Sequence, residues 1–224
     1  MPRPIPHTQP TPNSPRATPA RRAAAIFLLA TAIALLPACS LWPTKPSALA
    51  ISPVGNEPLR LRGSFDRAFY DFDDQNHVTV LLLAGPEDAP GSTPDQAAVL
   101  RMLWKPKAGQ TPLAPAATNA TIHYLIFADA NTAAGPLQEV GVYAGAGFLY
   151  LEGTPGTARL TGSLWDADLA LIDRSDRFND LLGPSELEGS FTARRDRTRV
   201  RTALRKLATE TSSRLGYPRL VSAE

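Results

Sequence analysis

Alternating and apolar segments dominate the chain between residues 58 and 194, and they predict β-strands. They cover residues 59–65, 77–84, 97–104, 120–128, 139–152, 159–172 and 185–193, of which 97–104 is a strand or a short helix. Turn-forming residues fill the connections at 85–95, 106–118, 130–136 and 173–184. Many short strands joined by such turns are typical of an antiparallel sandwich or barrel, and we predict this fold class.

Side-chain alternation in two segments predicts which faces are covered. In residues 120–128 both sets of alternate positions are largely apolar, which indicates a strand buried on both faces. In residues 159–172, Trp165, Ala167 and Leu169 lie two residues apart. Because successive side chains of a strand point to opposite faces, we expect these three to face the core together.

Glycines inside the predicted strands mark close packing. Gly145 and Gly147 predict a bend, a bulge or a hairpin turn. A short pattern (apolar residue, polar residue, Gly, Ser, apolar residue) recurs around Gly63, Gly162 and Gly189. We expect a neighbouring backbone or a large ring to pack against each of these glycines, with chance recurrence as the alternative.

One amphipathic helix is predicted at residues 196–215. Asp196 is a suitable N-cap, and Gly216 and Pro218 end the pattern. The apolar residues at helical spacing are Val200, Ala203, Leu204, Leu207 and Ala208. The predicted body is therefore a single β-rich domain, residues 58–224, that ends in this helix.

The beginning of the chain has the pattern of an export signal. Arg21 and Arg22 precede an apolar run at residues 23–36. A helix of this length rises about 21 Å, which is short for a bilayer core of about 30 Å. We therefore interpret residues 1–38 as a signal peptide.

The only cysteine follows this run directly. Leu36, Ala38 and Cys39 resemble the lipobox of bacterial lipoproteins, from which Pro37 departs. The resemblance implies cleavage before Cys39, a diacylglycerol on its sulfur and a further acyl chain such as palmitate on the new amino terminus. In a Gram-negative host, Ser40 then implies the periplasmic face of the outer membrane. Residues 39–57, rich in Pro and Ser, are predicted to form a flexible tether.

Charge changes when the signal peptide is removed. Four of the 23 basic residues and none of the 21 acidic residues precede Cys39, so the mature chain carries 19 basic and 21 acidic residues. The basic character of the whole chain therefore gives no support to nucleic-acid binding. No second apolar run reaches transmembrane length.

Basic residues cluster at the predicted helix start. They are Arg194, Arg195, Arg197, Arg199, Arg201, Arg205 and Lys206. One interpretation is docking to anionic headgroups or to an acidic envelope protein. The alternative is a solvated helix face that pairs with the body's own Asp and Glu residues.

Two acidic groups are candidate metal ligands. They consist of Asp71, Asp73 and Asp74, and of Asp166 and Asp168. Carboxylate oxygens suit calcium, but residues 71–82 lack the Gly and Glu that an EF-hand loop needs. A polar turn and a solvated strand face are the alternatives.

These features favour a non-catalytic function. We expect a lipid-anchored binding or accessory module of the bacterial envelope, bound to the membrane through Cys39 and without a cofactor. One alternative is a metal-dependent hydrolase that combines the Asp residues with His77 or His123. Another is a lipid or small-ligand carrier whose strands enclose a cavity.

Overall fold

Nine β-strands and one α-helix make up the described part of the protein in the computed structural model. The structure describes residues 47–55, 59–75, 77–85, 93–105, 118–132 and 135–218. The strands are β1 (Ser47–Pro53), β2 (Leu61–Phe65), β3 (Arg67–Phe72), β4 (Val78–Ala84), β5 (Gln96–Met102), β6 (Ala120–Thr132), β7 (Gly135–Glu152), β8 (Arg159–Arg174) and β9 (Ser185–Arg195), and the helix is α1 (Arg197–Leu215). The predicted mainly β class with a C-terminal helix is confirmed.

The strands form one sheet that closes on itself. Neighbouring strands follow the order β2-β1-β9-β3-β4-β5-β6-β7-β8, and β8 also pairs with β9. All of these pairings are antiparallel except the short parallel one between β3 and β9, at Phe69–Arg194 and Tyr70–Arg195. One edge of β9 therefore binds β1 and then β3, while its other edge binds β8. The closed ring pairs strand edges that would otherwise be exposed.

One end of the ring, named here the helix-start end, carries the turns at residues 73–77 and 153–158 and the junction of β9 with α1. Tyr70 joins the turn at residues 153–158 to the junction of β9 with α1. Its carbonyl oxygen accepts a bond from the Asp196 N–H at 3.0 Å. Its hydroxyl accepts a bond from the Gly156 N–H at 3.2 Å.

The opposite end, named here the far end, is covered by the loop of residues 175–184 between β8 and β9. The Val54 N–H donates to the Pro184 carbonyl at 2.8 Å and joins the end of β1 to this loop. Phe178 and Leu182 of the loop are buried and belong to the same apolar cluster as the ring interior. These two side chains thus make the loop contribute to the hydrophobic core.

Large aromatic side chains occupy the ring interior. Phe65, Tyr70, Tyr124, Tyr143 and Phe191 are almost completely buried there. The rings of Phe65 and Tyr124 meet edge to face with 6.4 Å between their centroids. Burial of such rings supplies much of the hydrophobic stabilisation of a small domain.

A second apolar cluster lies on the outer face of the ring, under α1. Val200, Leu204 and Leu207 of the helix pack in one cluster with side chains of β3 to β7, including Leu125 of β6. The adjacent Tyr124 belongs to the interior cluster instead. The predicted coverage of residues 120–128 on both faces is therefore confirmed.

The helix begins and ends as the sequence predicts. The Asp196 carboxylate accepts a bond from the Arg199 N–H at 2.9 Å and so caps the first turn. Gly216 adopts a left-handed conformation with φ 76° and donates its N–H to the Ser212 carbonyl. No helix within the described ranges combines the length and the apolar character needed to cross a membrane.

The three recurring glycines make the close contacts that the sequence predicts. A Cβ at Gly63 would lie 2.7 Å from the Phe65 ring, and one at Gly162 would lie 2.6 Å from the Phe191 ring. A Cβ at Gly189 would lie 2.2 Å from a backbone oxygen of β1, and Gly189 itself has φ +148°. Only a residue without a side chain fits these positions without displacing its neighbours.

Gly145 and Gly147 of β7 lie at a β-bulge, which is one of the three features predicted for them. The register between β7 and β8 shifts between Ala146 and Phe148, on either side of Gly147. A Cβ at Gly145 would lie 1.8 Å from the Asp168 carbonyl oxygen. The two strands therefore approach each other too closely for any larger residue at Gly145.

The predicted tether is too long. The predicted tether covers residues 39–57, but residues 47–53 form β1. This strand pairs with both β2 and β9. Leu49 and Ile51 are buried inside the ring. The alternation is short and is flanked by prolines, which hides the strand in the sequence. The predicted signal peptide and residues 39–46, including Cys39, lie outside the described residues.

Strand β3 was also absent from the prediction. Phe69 and Tyr70 are adjacent and both buried, one under α1 and one inside the ring. Asp71 still belongs to this strand, so the polar turn begins only at Asp73. A strand with polar and apolar residues on both faces gives no clean alternation to detect.

Candidate functional site

Three arginines of the basic cluster stack on aromatic rings of β3. The guanidinium carbons of Arg194 and Arg199 lie 5.6 and 5.2 Å from the centroid of the Phe69 ring. Arg195 lies 4.9 Å from the centroid of Phe72 and also donates to the Gly156 carbonyl. These cation–π contacts hold the three arginine side chains against β3. They do not neutralise the positive charge of the guanidinium groups.

Two ion pairs engage further members of the cluster. The Arg197 Nε lies 3.6 Å from an Asp71 carboxylate oxygen. Arg199 approaches the capping Asp196 at 3.5 Å. The predicted alternative, pairing with the body's own carboxylates, therefore describes part of the cluster.

Arg201 and Arg205 differ from these residues. Both are exposed, and none of the described residues forms an ion pair or hydrogen bond with either of them. They line a groove of about 620 Å³ between α1 and the outer face of β3 to β5. The register places Asp71, Thr79 and Arg101 in one row across this face. We call this region the arginine groove.

Burial and hydrogen bonding change two pKa values beside the arginine groove. Burial lowers the pKa of the Arg101 guanidinium. For Asp73, desolvation raises the pKa, but hydrogen bonds from the His77 backbone, the His77 ring and the Gln75 N–H outweigh it. The pKa of Asp73 therefore lies below its usual value, and Asp73 is ionised at neutral pH.

Lys206 lies on the other side of α1. With Arg67 and Arg199 it lines a smaller groove of about 280 Å³, whose floor includes Phe69 and Leu83. The basic cluster is thus divided between two sides of the helix. The sequence gives the charges but not this division, because it depends on how the helix is rotated on the sheet.

The structure separates the candidate metal ligands. Asp71 pairs with Arg197, and Asp73 pairs with the His77 ring at 2.8 Å. Asp74 is exposed in the same turn. In the described ranges, no group of three or more His, Cys, Asp and Glu residues is placed to hold a metal ion.

The second acidic pair lies on β8, which pairs with β7 and β9. Asp166 and Asp168 are both exposed, and Asp168 faces Glu186 across the β8–β9 ladder. His123 lies on β6, apart from this pair. Of the residues considered for a metal-dependent hydrolase, Asp73 and His77 contact each other, whereas Asp166, Asp168 and His123 belong to no group of three potential ligands in the described ranges.

Two buried tyrosine hydroxyl groups of the ring interior have hydrogen-bond partners. The Tyr124 hydroxyl donates to Gln96 Oε1 at 2.6 Å, and the Tyr143 hydroxyl donates to Asp180 Oδ1 at 2.6 Å. Phe178 of the far-end loop meets the Tyr143 ring edge to face at 6.5 Å. Polar atoms inside the ring are thus paired with one another.

Trp165 does not face the core, contrary to the prediction. Its side chain is 58% exposed. The register between β8 and β9 shifts between Leu164 and Ala167, and both of these residues are buried. Asp166 adopts φ 47°, which is uncommon for a residue other than glycine. Before the bulge Leu160, Gly162 and Leu164 are buried, and after it Ala167 and Leu169 are, so Trp165 lies on the outward face with Ser163.

The exposed indole has a fixed position. Its Nε1–H donates to Ser163 Oγ at 2.9 Å. Tyr150, 52% exposed, lies opposite Ser163 on β7. A groove of about 460 Å³ lies beside Trp165, and Arg60 and Glu188 contact each other at its rim. We call this outer surface of β7, β8, β9, β1 and β2, which includes Tyr150, the Trp165 face.

Comparison with family models, curated proteins and solved structures found no match to this chain. The function of the protein is therefore inferred from its sequence and from the geometry of these surfaces.

Proposed function

We propose that this protein is a lipid-anchored, non-catalytic binding module of the bacterial envelope. The lipid on Cys39 holds it to the membrane, and the Trp165 face binds a protein partner. The observation that carries the proposal is Trp165, a large apolar side chain that is 58% exposed and held in position by its bond to Ser163. Solvent exposure of an indole is unfavourable, so a partner that covers it gains hydrophobic energy.

The surroundings of Trp165 fit a protein interface. Trp, Tyr and Arg are the residues most enriched among those that dominate binding energy. Here Trp165 and Tyr150 supply the apolar centre, and Arg60, Arg62 and Glu188 supply a charged rim. An apolar centre with a polar rim is the usual arrangement of a specific interface.

The strained residue beside Trp165 supports the same proposal. A left-handed conformation costs roughly 1–2 kcal/mol in a residue with a Cβ, although Asp tolerates it better than most. Asp166 adopts it directly after Trp165, inside the bulge of β8. Strain of this kind collects at functional sites.

The membrane anchor is supported by the sequence. A single acyl chain binds a bilayer only weakly, whereas two or more hold a protein durably. The lipobox-like residues before Cys39 imply a diacylglycerol and a further acyl chain. Ser40 favours the outer membrane, so we place the module on its periplasmic face.

Metabolic labelling tests the anchor. Cells that produce the full chain are grown with an alkyne analogue of palmitate, and the Cys39→Ser variant serves as control. We expect label on the unsubstituted protein alone. Equal label on both proteins, or none on either, would show that Cys39 is not the lipidated residue.

Photocrosslinking tests the Trp165 face. A benzoylphenylalanine at position 150 lies on the Trp165 face, and one at Leu181, which is 64% exposed, lies on the far-end loop. We expect a defined crosslinked partner from position 150 and none from position 181. Trp165→Ala should abolish the crosslink, while Ile172→Ala on the same strand should retain it. A crosslink that survives Trp165→Ala would contradict the proposal.

A further inference from the structure

The chain enters the body next to the basic cluster. Ser47 is the first described residue, and its hydroxyl accepts a bond from the Thr192 N–H at 3.1 Å. Thr192 lies two residues before Arg194, and β9 ends at Arg195. The entry point of the tether therefore lies close to the helix-start end of the ring.

The tether is short because β1 takes up its second half. Cys39 precedes Ser47 by eight residues. Eight residues reach at most about 29 Å even when fully extended. A lipid on Cys39 therefore keeps Ser47 within this distance of the bilayer surface.

The two ends of the ring carry opposite charge. Exposed basic residues at the helix-start end and in the adjoining arginine groove are Lys105, Arg159, Arg194, Arg195, Arg197, Arg199, Arg201 and Arg205, and they outnumber the exposed acidic residues there, Asp73, Asp74 and Glu152. The far end carries the six acidic residues Asp95, Asp129, Asp173, Asp176, Asp180 and Glu186, which outnumber its exposed basic residues Arg174 and Arg177. The short tether thus brings the basic end, and not the acidic end, towards the membrane.

Apolar side chains accompany the basic residues. Leu103 follows β5 at the helix-start end and is 53% exposed. Trp104 beside it packs edge to face on Phe148, and Lys105 donates to the Gly153 carbonyl in the β7–β8 turn. Cationic residues next to Leu and Trp are typical of protein surfaces that bind the bilayer interface.

From these observations we infer that the helix-start end docks on a bilayer of anionic phospholipids, with Arg201 and Arg205 facing the headgroups. The inference rests on the lipid anchor of the proposed function and adds an orientation to it. The far end and its acidic residues then face away from the membrane. The Trp165 face, on the side of the ring, stays accessible to a partner.

Spin labels on the mature lipidated protein test this orientation. Because the sulfur of Cys39 carries lipid, Thr198→Cys or Asn179→Cys adds the only free thiol, at the helix start or in the far-end loop. The protein is reconstituted in vesicles of phosphatidylcholine, with or without phosphatidylglycerol. Accessibility of the label to a water-soluble nickel complex is then measured.

We expect the label at position 198 to lose accessibility only when phosphatidylglycerol is present. The label at position 179 should stay accessible in both vesicles. Salt at 1 M, where the screening length is about 3 Å, should restore accessibility at position 198. Equal accessibility of the two positions in anionic vesicles would overturn the inference.

Matched charge reversals make the test specific. Arg201→Glu with Arg205→Glu should lower the ratio of docked to undocked protein at least roughly 25-fold, since each basic residue near such a surface contributes about fivefold. Arg174→Glu with Arg177→Glu makes the same change in charge at the far end and should leave the ratio unchanged. Equal effects of the two pairs would show only a response to net charge and would contradict docking by one end.

The outcomes separate this inference from the proposed function. Loss of palmitate label at Cys39 would remove the anchor and with it both proposals. Intact lipidation with a freely accessible position 198 would remove only the docked orientation. Protection of position 198 in whole envelopes but not in phospholipid vesicles would assign the basic end to another partner and would likewise overturn the inference.

Discussion

The Tyr143 hydroxyl donates a 2.6 Å hydrogen bond to Asp180 Oδ1 and so joins the ring interior to the loop that covers the far end. The same oxygen accepts bonds from the N–H groups of Leu182 and Gly183. Burial, together with the bond to the Asp180 carboxylate and its charge, raises the pKa of Tyr143. Desolvation raises the pKa of Asp180, but these hydrogen bonds and the charge of Arg174 outweigh it and lower the pKa overall.

Tyr143→Phe should therefore lower the free energy of unfolding by about 2 kcal/mol at neutral pH, the usual contribution of a hydrogen bond to a charged group. Because the pKa of folded Asp180 is lowered, the stabilisation from its carboxylate is present above about pH 4 and is lost as pH falls through the folded pKa. Urea unfolding of both proteins across this range should show their difference shrinking in acid. Tyr150→Phe, at an exposed site, should behave like the wild type at every pH.

Gly189→Ala should destabilise the fold severely. The substitution requires a Cβ 2.2 Å from a backbone oxygen of β1, at a residue with φ +148°. We expect a loss of at least about 3 kcal/mol or failure to fold, because β1 and β9 must separate. Gly183→Ala is the control, since Gly183 has φ +57° with nothing within 4 Å of the new Cβ. It should cost about 1 kcal/mol, and equal losses in the two variants would contradict the contact with β1.

Leu204→Ala should loosen α1 from the sheet. Leu204 is 2% exposed and belongs to the cluster under the helix. Removing such a side chain costs about 2–5 kcal/mol. Thermal unfolding should report this loss, whereas Thr209→Ala on the exposed face of the helix should change stability by only a few tenths of a kcal/mol.

Asp166→Gly should leave stability within about 0.5 kcal/mol of the wild type. Glycine adopts φ 47° without strain, and this gain offsets the greater flexibility of the unfolded chain. Asp168→Gly, two residues further along β8, should lose about 0.5–1 kcal/mol because no strain is relieved there. Chemical denaturation compares the two. A larger loss at residue 166 than at residue 168 would show that the Asp166 side chain itself stabilises the bulge.

Sequence periodicity was sufficient for the strands with a clear alternation and for the helix. Residues 120–128 are apolar at both parities because Tyr124 lies in the interior and Leu125 lies under α1. The helix limits were readable because Asp196 and Gly216 act locally, within one turn of the backbone. Gly189 was informative for a similar reason, since a glycine inside a strand indicates that another backbone lies close.

The candidate surfaces were less accessible to sequence reasoning. Trp165 was assigned to the core because alternation assumes an uninterrupted strand, and a bulge of one residue reverses it. The basic cluster is visible in the sequence, but the division of its residues between the two sides of α1 is not. Arg197 pairs with Asp71, whereas Arg201 has no partner among the described residues, and this depends on the rotation of α1.

The amino-acid sequence by itself determined the β-rich class, the capped helix and the clustering of basic residues at the helix start, and it predicts a lipid site at Cys39. These properties follow from local patterns, in which each residue acts on its neighbours in the chain. The tertiary structure alone decided that Ser47 meets Thr192, that Trp165 faces solvent and that the sheet closes through β8 and β9. Such contacts join distant residues, so they depend on register and packing, which no local pattern specifies.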